Sequence, residues 1–195
     1  MMGENGRGAM QMDLNQWFQK GLTADGYINA MATNKDEMLT IYKQFTLTDE
    51  DKHKLEAVRP QHLRAIVLSE DWCGDAMLNN PILLKIAEAA GMEVRFVLRD
   101  SNLELMDKYL TNGTARSIPI FIFINEDGNE VGVWGPRAPE IQDFVMQKRA
   151  SLPEKEAEDF QDKQKELFKN LRETYQTDAA IWKTVTNSIL TTLLK

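Results

Sequence analysis

Cys73 is the only cysteine among the 195 residues, and it stands in the stretch Ser69-Glu70-Asp71-Trp72-Cys73-Gly74-Asp75-Ala76. There the apolar run Leu63, Ala65, Ile66, Val67, Leu68 ends and a helical pattern begins. A thiol at a helix N-terminus faces unpaired backbone N–H groups and the positive end of the peptide dipoles, and both favour the thiolate. Such a sulfur can attack a disulfide. Asp71 and Asp75 work against ionisation through their charge, so the net sign of the shift stays open at this level. An isolated cysteine can also act simply as a small hydrophobe in the core.

Trp72 and Gly74 flank the thiol, Pro81 follows inside the same helical pattern, and Ser117-Ile118-Pro119 opens a later apolar strand. Together these residues resemble the thioredoxin superfamily, whose site reads W-C-G-x-C at the start of a proline-kinked helix opposite a cis-proline loop. The Glu-Asp-Trp-Cys-Gly-Asp stretch with flanking helices is similar to a group of bacterial thioredoxin-like proteins that usually carry Cys-Gly-Asp-Cys. The resemblance implies a cis Pro119, an Ile118 backbone that pairs with extended substrate, and Trp72, Gly74 and Asp75 around Cys73. Asp75 is also placed to cap the helix. Two positions depart from the pattern: Ala76 stands where the resolving cysteine would be, and Val67 where a buried carboxylate would be.

A single nucleophile needs an outside group to release its mixed disulfide. The resemblance therefore implies a monothiol thiol transferase acting through Cys73 on protein or peptide disulfides or mixed disulfides. A low-molecular-weight thiol is its co-substrate, and no tightly bound cofactor is expected. Two alternatives stay open: a silent binding module that keeps the cis-proline groove, and a dithiol reductase whose resolving cysteine has been replaced at Ala76.

Composition narrows the classes. The chain is 43% hydrophobic and 27% charged, with a formal charge of −7 and a pI near 5.0. That is globular, and it offers no basic face for nucleic acid. No stretch reads as a leader or a membrane span, and a lone cysteine fits a reducing compartment, so a cytoplasmic location is expected, with no membrane partner. His53 and His62 lack converging partners, so no metal site is expected. The sequence leaves the oligomeric state open.

Residues 1–12 show no apolar period and read as a flexible tail. Residues 13–60 read as an extension of short amphipathic helices starting near Asp13, Thr23, Asn34 and Thr48, packed on the core. Residues 61–150 give strand Leu63–Ser69, helix to Ala90 closed by Gly91, strand Glu93–Arg99, helix Asn102–Leu110, strand Ile118–Asn125, strand Glu130–Trp134 and helix Pro139–Ala150. That order is an α/β, thioredoxin-like core with a mixed sheet of four to five strands flanked by helices. Residues 151–195 read as a C-terminal helical extension, with its first helical stretch over Glu154–Tyr175 and an apolar stripe from Trp182 to Leu194.

Overall fold

The computed structural model describes residues 12–195. Of the tail expected over 1–12, all but Met12 lies outside the described residues. Five strands form one sheet: β1 (Leu22–Thr23), β2 (Arg64–Ser69), β3 (Glu93–Leu98), β4 (Ile120–Ile124) and β5 (Glu130–Trp134), in the order β1-β3-β2-β4-β5. β2 and β3 are parallel, with Arg64 opposite Glu93 and Ser69 opposite Leu98. β4 runs antiparallel to both β2 and β5. A parallel pair needs a crossover, and the helix that begins after Cys73 supplies it.

The helices are α1 (Leu14–Lys20), α2 (Ala24–Ala30), α3 (Lys35–Gln44), α4 (Asp49–Glu56), α5 (Gly74–Ala90), α6 (Leu103–Met106), α7 (Pro139–Ala150), α8 (Phe160–Thr177) and α9 (Ala179–Leu193). β2 has no polar alternation because both its faces are covered. Ala65 and Val67 enter one apolar layer with α3, α5 and α9, while Ile66 and Leu68 enter another with α1 and α6. β4 divides the same way, Phe121 and Phe123 to the first layer and Ile120, Ile122 and Ile124 to the second. The two-residue period of a strand thus sorts a continuous apolar run into two cores.

Local chemistry sets the element ends. Asp13 caps α1 by accepting from the Asn15 and Gln16 amides at 2.9 and 3.3 Å. Thr48 and Asp51 form a reciprocal capping box at α4, each side chain bonding the other's amide. Gly91 ends α5 in the left-handed conformation at φ 66°. A side chain at Gly21 would run into Arg95 and the Phe96 carbonyl, so only glycine lets the chain leave α1 and lay β1 against β3. Two residues cannot display a period, which is why β1 is invisible in the sequence pattern.

Other elements differ from expectation. α6 stops at Met106 rather than Leu110, and Asn112 and Gly113 take positive φ in the separate turn bridged by Thr111 and Ala115. Leu105 and Met106 are buried, and Leu103 is exposed. At the start of α6 the Asn102 side-chain amide donates back to the Leu98 carbonyl at 2.8 Å. β4 begins at Ile120, leaving Ile118 and Pro119 in the loop before it, and α8 starts at Phe160 rather than Glu154.

Candidate functional site

Cys73 is the N-cap of α5, with extended backbone (φ −81°, ψ 121°), and its carbonyl accepts the first helical bond from the Met77 amide at 3.0 Å. Its side chain joins the apolar layer that contains Ala76, Ile118 and Ile120, and the residue is 9% exposed. The Sγ donates to the Ile118 carbonyl at 3.4 Å. The Ile118–Pro119 peptide is cis, as is Gly135–Pro136. Gly135, at φ 126°, lies against this loop so closely that a Cβ would overlap the Pro119 carbonyl oxygen. The start of α5 and the loop before β4 therefore meet at the sulfur, and the turn after β5 packs against that loop.

Trp72 is 49% exposed beside the thiol, with the Arg99 guanidinium 4.9 Å from its ring centroid. A Cβ on Gly74 would meet the Arg172 Cγ at 3.7 Å. Asp75 does not cap the helix as expected. Its carboxylate is held by Arg137 through two contacts, Nε–Oδ1 at 2.9 Å and Nη2–Oδ2 at 2.7 Å, and accepts from the Tyr175 hydroxyl at 3.2 Å. Arg137 also donates to Gln142 at 2.7 Å. Both members of the pair are largely buried, so the carboxylate is committed to the guanidinium rather than to the helix amides.

The sign left open by the sequence now has a direction. Burial first, and the Asp75 charge second, push the Cys73 thiol up to about 11. The amides of Ala76 and Asp75 and the Arg137 guanidinium pull the other way without prevailing. The balance favours the protonated form, and in this structure Cys73 is a buried thiol.

The flanking acids are tied to the backbone. Asp71 accepts from the Ala32 and Thr33 amides at 2.7 and 3.1 Å, and Glu70 accepts from the Asp100 amide at 2.8 Å. Val67 is fully buried in the opposite layer from Cys73, so no carboxylate lies at its position. A neutral polar trio sits under α5 instead. Ser69 bonds both the Tyr27 hydroxyl and the Asn80 amide, each at 2.9 Å, and burial pushes Tyr27 up to about 12. Asn79 donates to the Pro136 carbonyl at 3.2 Å, fastening α5 to the Gly135–Pro136 turn. Sequence reasoning missed Arg137, Tyr175 and this trio. The one available signal was Asn79-Asn80, two amides inside an otherwise apolar helix.

Among the described residues, no three His, Cys, Asp or Glu side chains converge as metal ligands. His53 lies exposed beside Glu56 at 3.2 Å. Nor, among the described residues, is any helix long and apolar enough to cross a membrane.

A mixed sheet with this strand order, and a helix crossing from β2 to β3 that starts at the cysteine, defines a protein of the thioredoxin fold. A thioredoxin family model matches residues 21–151, about two thirds of the chain, and the chain belongs to that family. No curated protein matches it. Among solved structures it is similar to a protein of unknown function from Pseudomonas aeruginosa, at 15% identity and a TM-score of 0.64, covering 91% of this chain and 97% of that one. It is also similar to an HIV epitope-scaffold, at 13% identity and a TM-score of 0.65, covering 92% of this chain and 96% of that one. At such identities the likeness concerns the fold. Because it covers nine tenths of the chain, it takes in helices beyond residue 151.

Proposed function

We propose that the protein exchanges thiols and disulfides through Cys73 alone. The Cys73 thiolate attacks a protein or peptide disulfide or mixed disulfide, forming a Cys73–substrate bond and expelling the other sulfur as a thiolate. A low-molecular-weight thiolate then attacks that bond, takes the substrate sulfur as a new disulfide and returns Cys73. Ala76, whose methyl is buried beside Cys73, offers no second thiol for this step. The observation that carries the reading is the placement of Sγ at the start of α5, 3.4 Å from the Ile118 carbonyl in the loop that bears Pro119. An extended substrate pairing with the Ile118 backbone would lie next to the sulfur. The single cysteine suits a reducing cytoplasm.

A second reading, a module that holds peptides without covalent chemistry, is favoured by the buried, protonated state of Cys73. With the thiol near 11, roughly one molecule in 10^4 carries a thiolate at neutral pH, so attack must be slow unless binding changes the surroundings.

Intact mass separates the two. After incubation with a glutathionylated peptide, the protein is expected to gain the adduct at Cys73 and to lose it on addition of free small thiol, and Cys73→Ser is expected to do neither. Peptide capture by Cys73→Ala equal to wild type, with no adduct formed by either, would establish the binding module instead.

A further inference from the structure

α8 lies beyond the residues that match the family model, yet two of its side chains reach the first turn of α5. Tyr175 is the anchor: its hydroxyl bonds Asp75 at 3.2 Å and its carbonyl accepts from the Trp182 indole at 2.7 Å. Arg172 lies one turn earlier on the same helix. Its Cγ is 3.7 Å from the point a Cβ on Gly74 would occupy, so its stem runs alongside the residue next to the thiol.

The other charges around the site are already taken. Arg99 is bound to Asp100, Arg116 to Asp107 and Arg137 to Asp75, each at 2.7 Å, and the Glu70 and Asp71 carboxylates are occupied by backbone amides. Arg172 differs. On its own helix the positions three and four residues away are Phe168, Lys169, Tyr175 and Gln176, none of them acidic, and the nearby Glu173 faces Lys169 at 3.9 Å. Among the described residues the Arg172 side chain makes no ion pair and no hydrogen bond, and the residue is exposed. An unpaired planar guanidinium presents a fork of donors that matches a carboxylate.

We propose that Arg172 sets substrate choice at this site by binding a carboxylate carried close to the sulfur that exchanges with Cys73. The substrate class is acidic thiols and their disulfides, either small mercapto-acids or peptide cysteines flanked by Asp or Glu. This assignment rests on the exchange reading above and adds its specificity. Because the guanidinium faces water, the preference weakens as salt screens it.

The test measures Cys73 exchange with dithiodipropionate, which is anionic, against dithiodiethanol, which is neutral, and with mixed disulfides of an Asp-flanked against an Asn-flanked peptide. Wild type is expected to favour the anionic partner by about threefold at low salt, the size a solvent-exposed ion pair supports. The ratio is expected to fall towards one in Arg172→Gln, to recover in part in Arg172→Lys and to invert in Arg172→Glu. A preference confined to the small disulfides identifies mercapto-acids as the source of the carboxylate, and one confined to the peptides identifies acidic protein sites. The same compounds are titrated onto Cys73→Ala, followed by the Trp72 indole N–H resonance, so the ratio is read even without covalent exchange. A ratio near one in wild type, or one unchanged in Arg172→Gln, overturns the Arg172 assignment while leaving exchange itself standing. Anionic preference in binding with no exchange by wild type overturns the exchange reading instead.

Discussion

Asp75 acts on Cys73 in two opposed ways. Its own charge raises the thiol pKa, and its carboxylate holds in place the Arg137 guanidinium, which lowers it. With burial added, the raising effects prevail and the thiol stays protonated at neutral pH. Asp75→Asn removes the like charge and leaves Arg137 beside the sulfur. The variant is expected to react with iodoacetamide at least about tenfold faster at neutral pH, since a neighbouring charge moves a pKa by about one unit or more. The wild-type rate is expected to climb about tenfold per pH unit and to level off only near 11. A plateau well below that, or an Asp75→Asn rate equal to wild type, counts against this balance. The sequence made Cys73, Trp72, Ile118 and Pro119 legible because a strand-to-helix junction and an Ile-Pro strand start are local patterns. Arg137 and Tyr175 were not legible. They sit 62 and 100 residues from Asp75 along the chain, and nothing local marks a partner at that separation.

Between elements, an ion pair joins α4 to α9. Both Asp51 oxygens lie 2.9 Å from the Lys183 Nζ, and the same carboxylate closes the α4 capping box with Thr48. Burial on its own would push the Asp51 carboxyl up. The bonds from Lys183 and Thr48 outweigh it and hold the group below its ordinary value. Lys183→Met would leave the Asp51 carboxylate, 2% exposed, with only the Thr48 amide, and since Lys183 itself is 43% exposed a loss of about 1–2 kcal/mol in urea unfolding is expected. Because the folded carboxyl is the stronger acid, its contribution is present above about pH 4 and is lost as pH falls through the folded value, and the variant should lack this acid-side loss. An unchanged urea midpoint at neutral pH would show that the pair contributes nothing net. The ends of α5 and α7 were readable because glycine and proline mark them. β1, with two residues, and α6, with four, are too short for a period to show.

Across the whole molecule, the first apolar layer draws on residues before, within and after the segment 61–150. Tyr27, Met38 and Leu55 lie in it with Leu78 and Phe121, and so do Val185 and Ile189. The expectation that the flanking helices bury their stripes was readable from helical spacing; the surface each would meet was not. One consequence of so much shared burial is acid groups kept protonated. Burial is the leading cause that pushes Cys73 up to about 11, Tyr27 up to about 12, and Tyr109 and Tyr175 higher still. The unfolded chain gives up the same protons at ordinary values, about 8.5 for cysteine and about 10 for tyrosine. Above those values the native state binds more protons than the unfolded one, so stability is intact below them and falls as pH rises towards the folded values. The urea midpoint is expected to be level to about pH 8.5, to decline beyond it, and to decline more steeply past about pH 10 as the tyrosines join. Tyr175→Phe should flatten part of that steeper limb, because phenylalanine has no proton to lose. A wild-type midpoint that stays level from neutral pH to about 11 would mean that these groups ionise as freely in the folded chain as in the unfolded one. The burial argument for a protonated Cys73 would then fail with it.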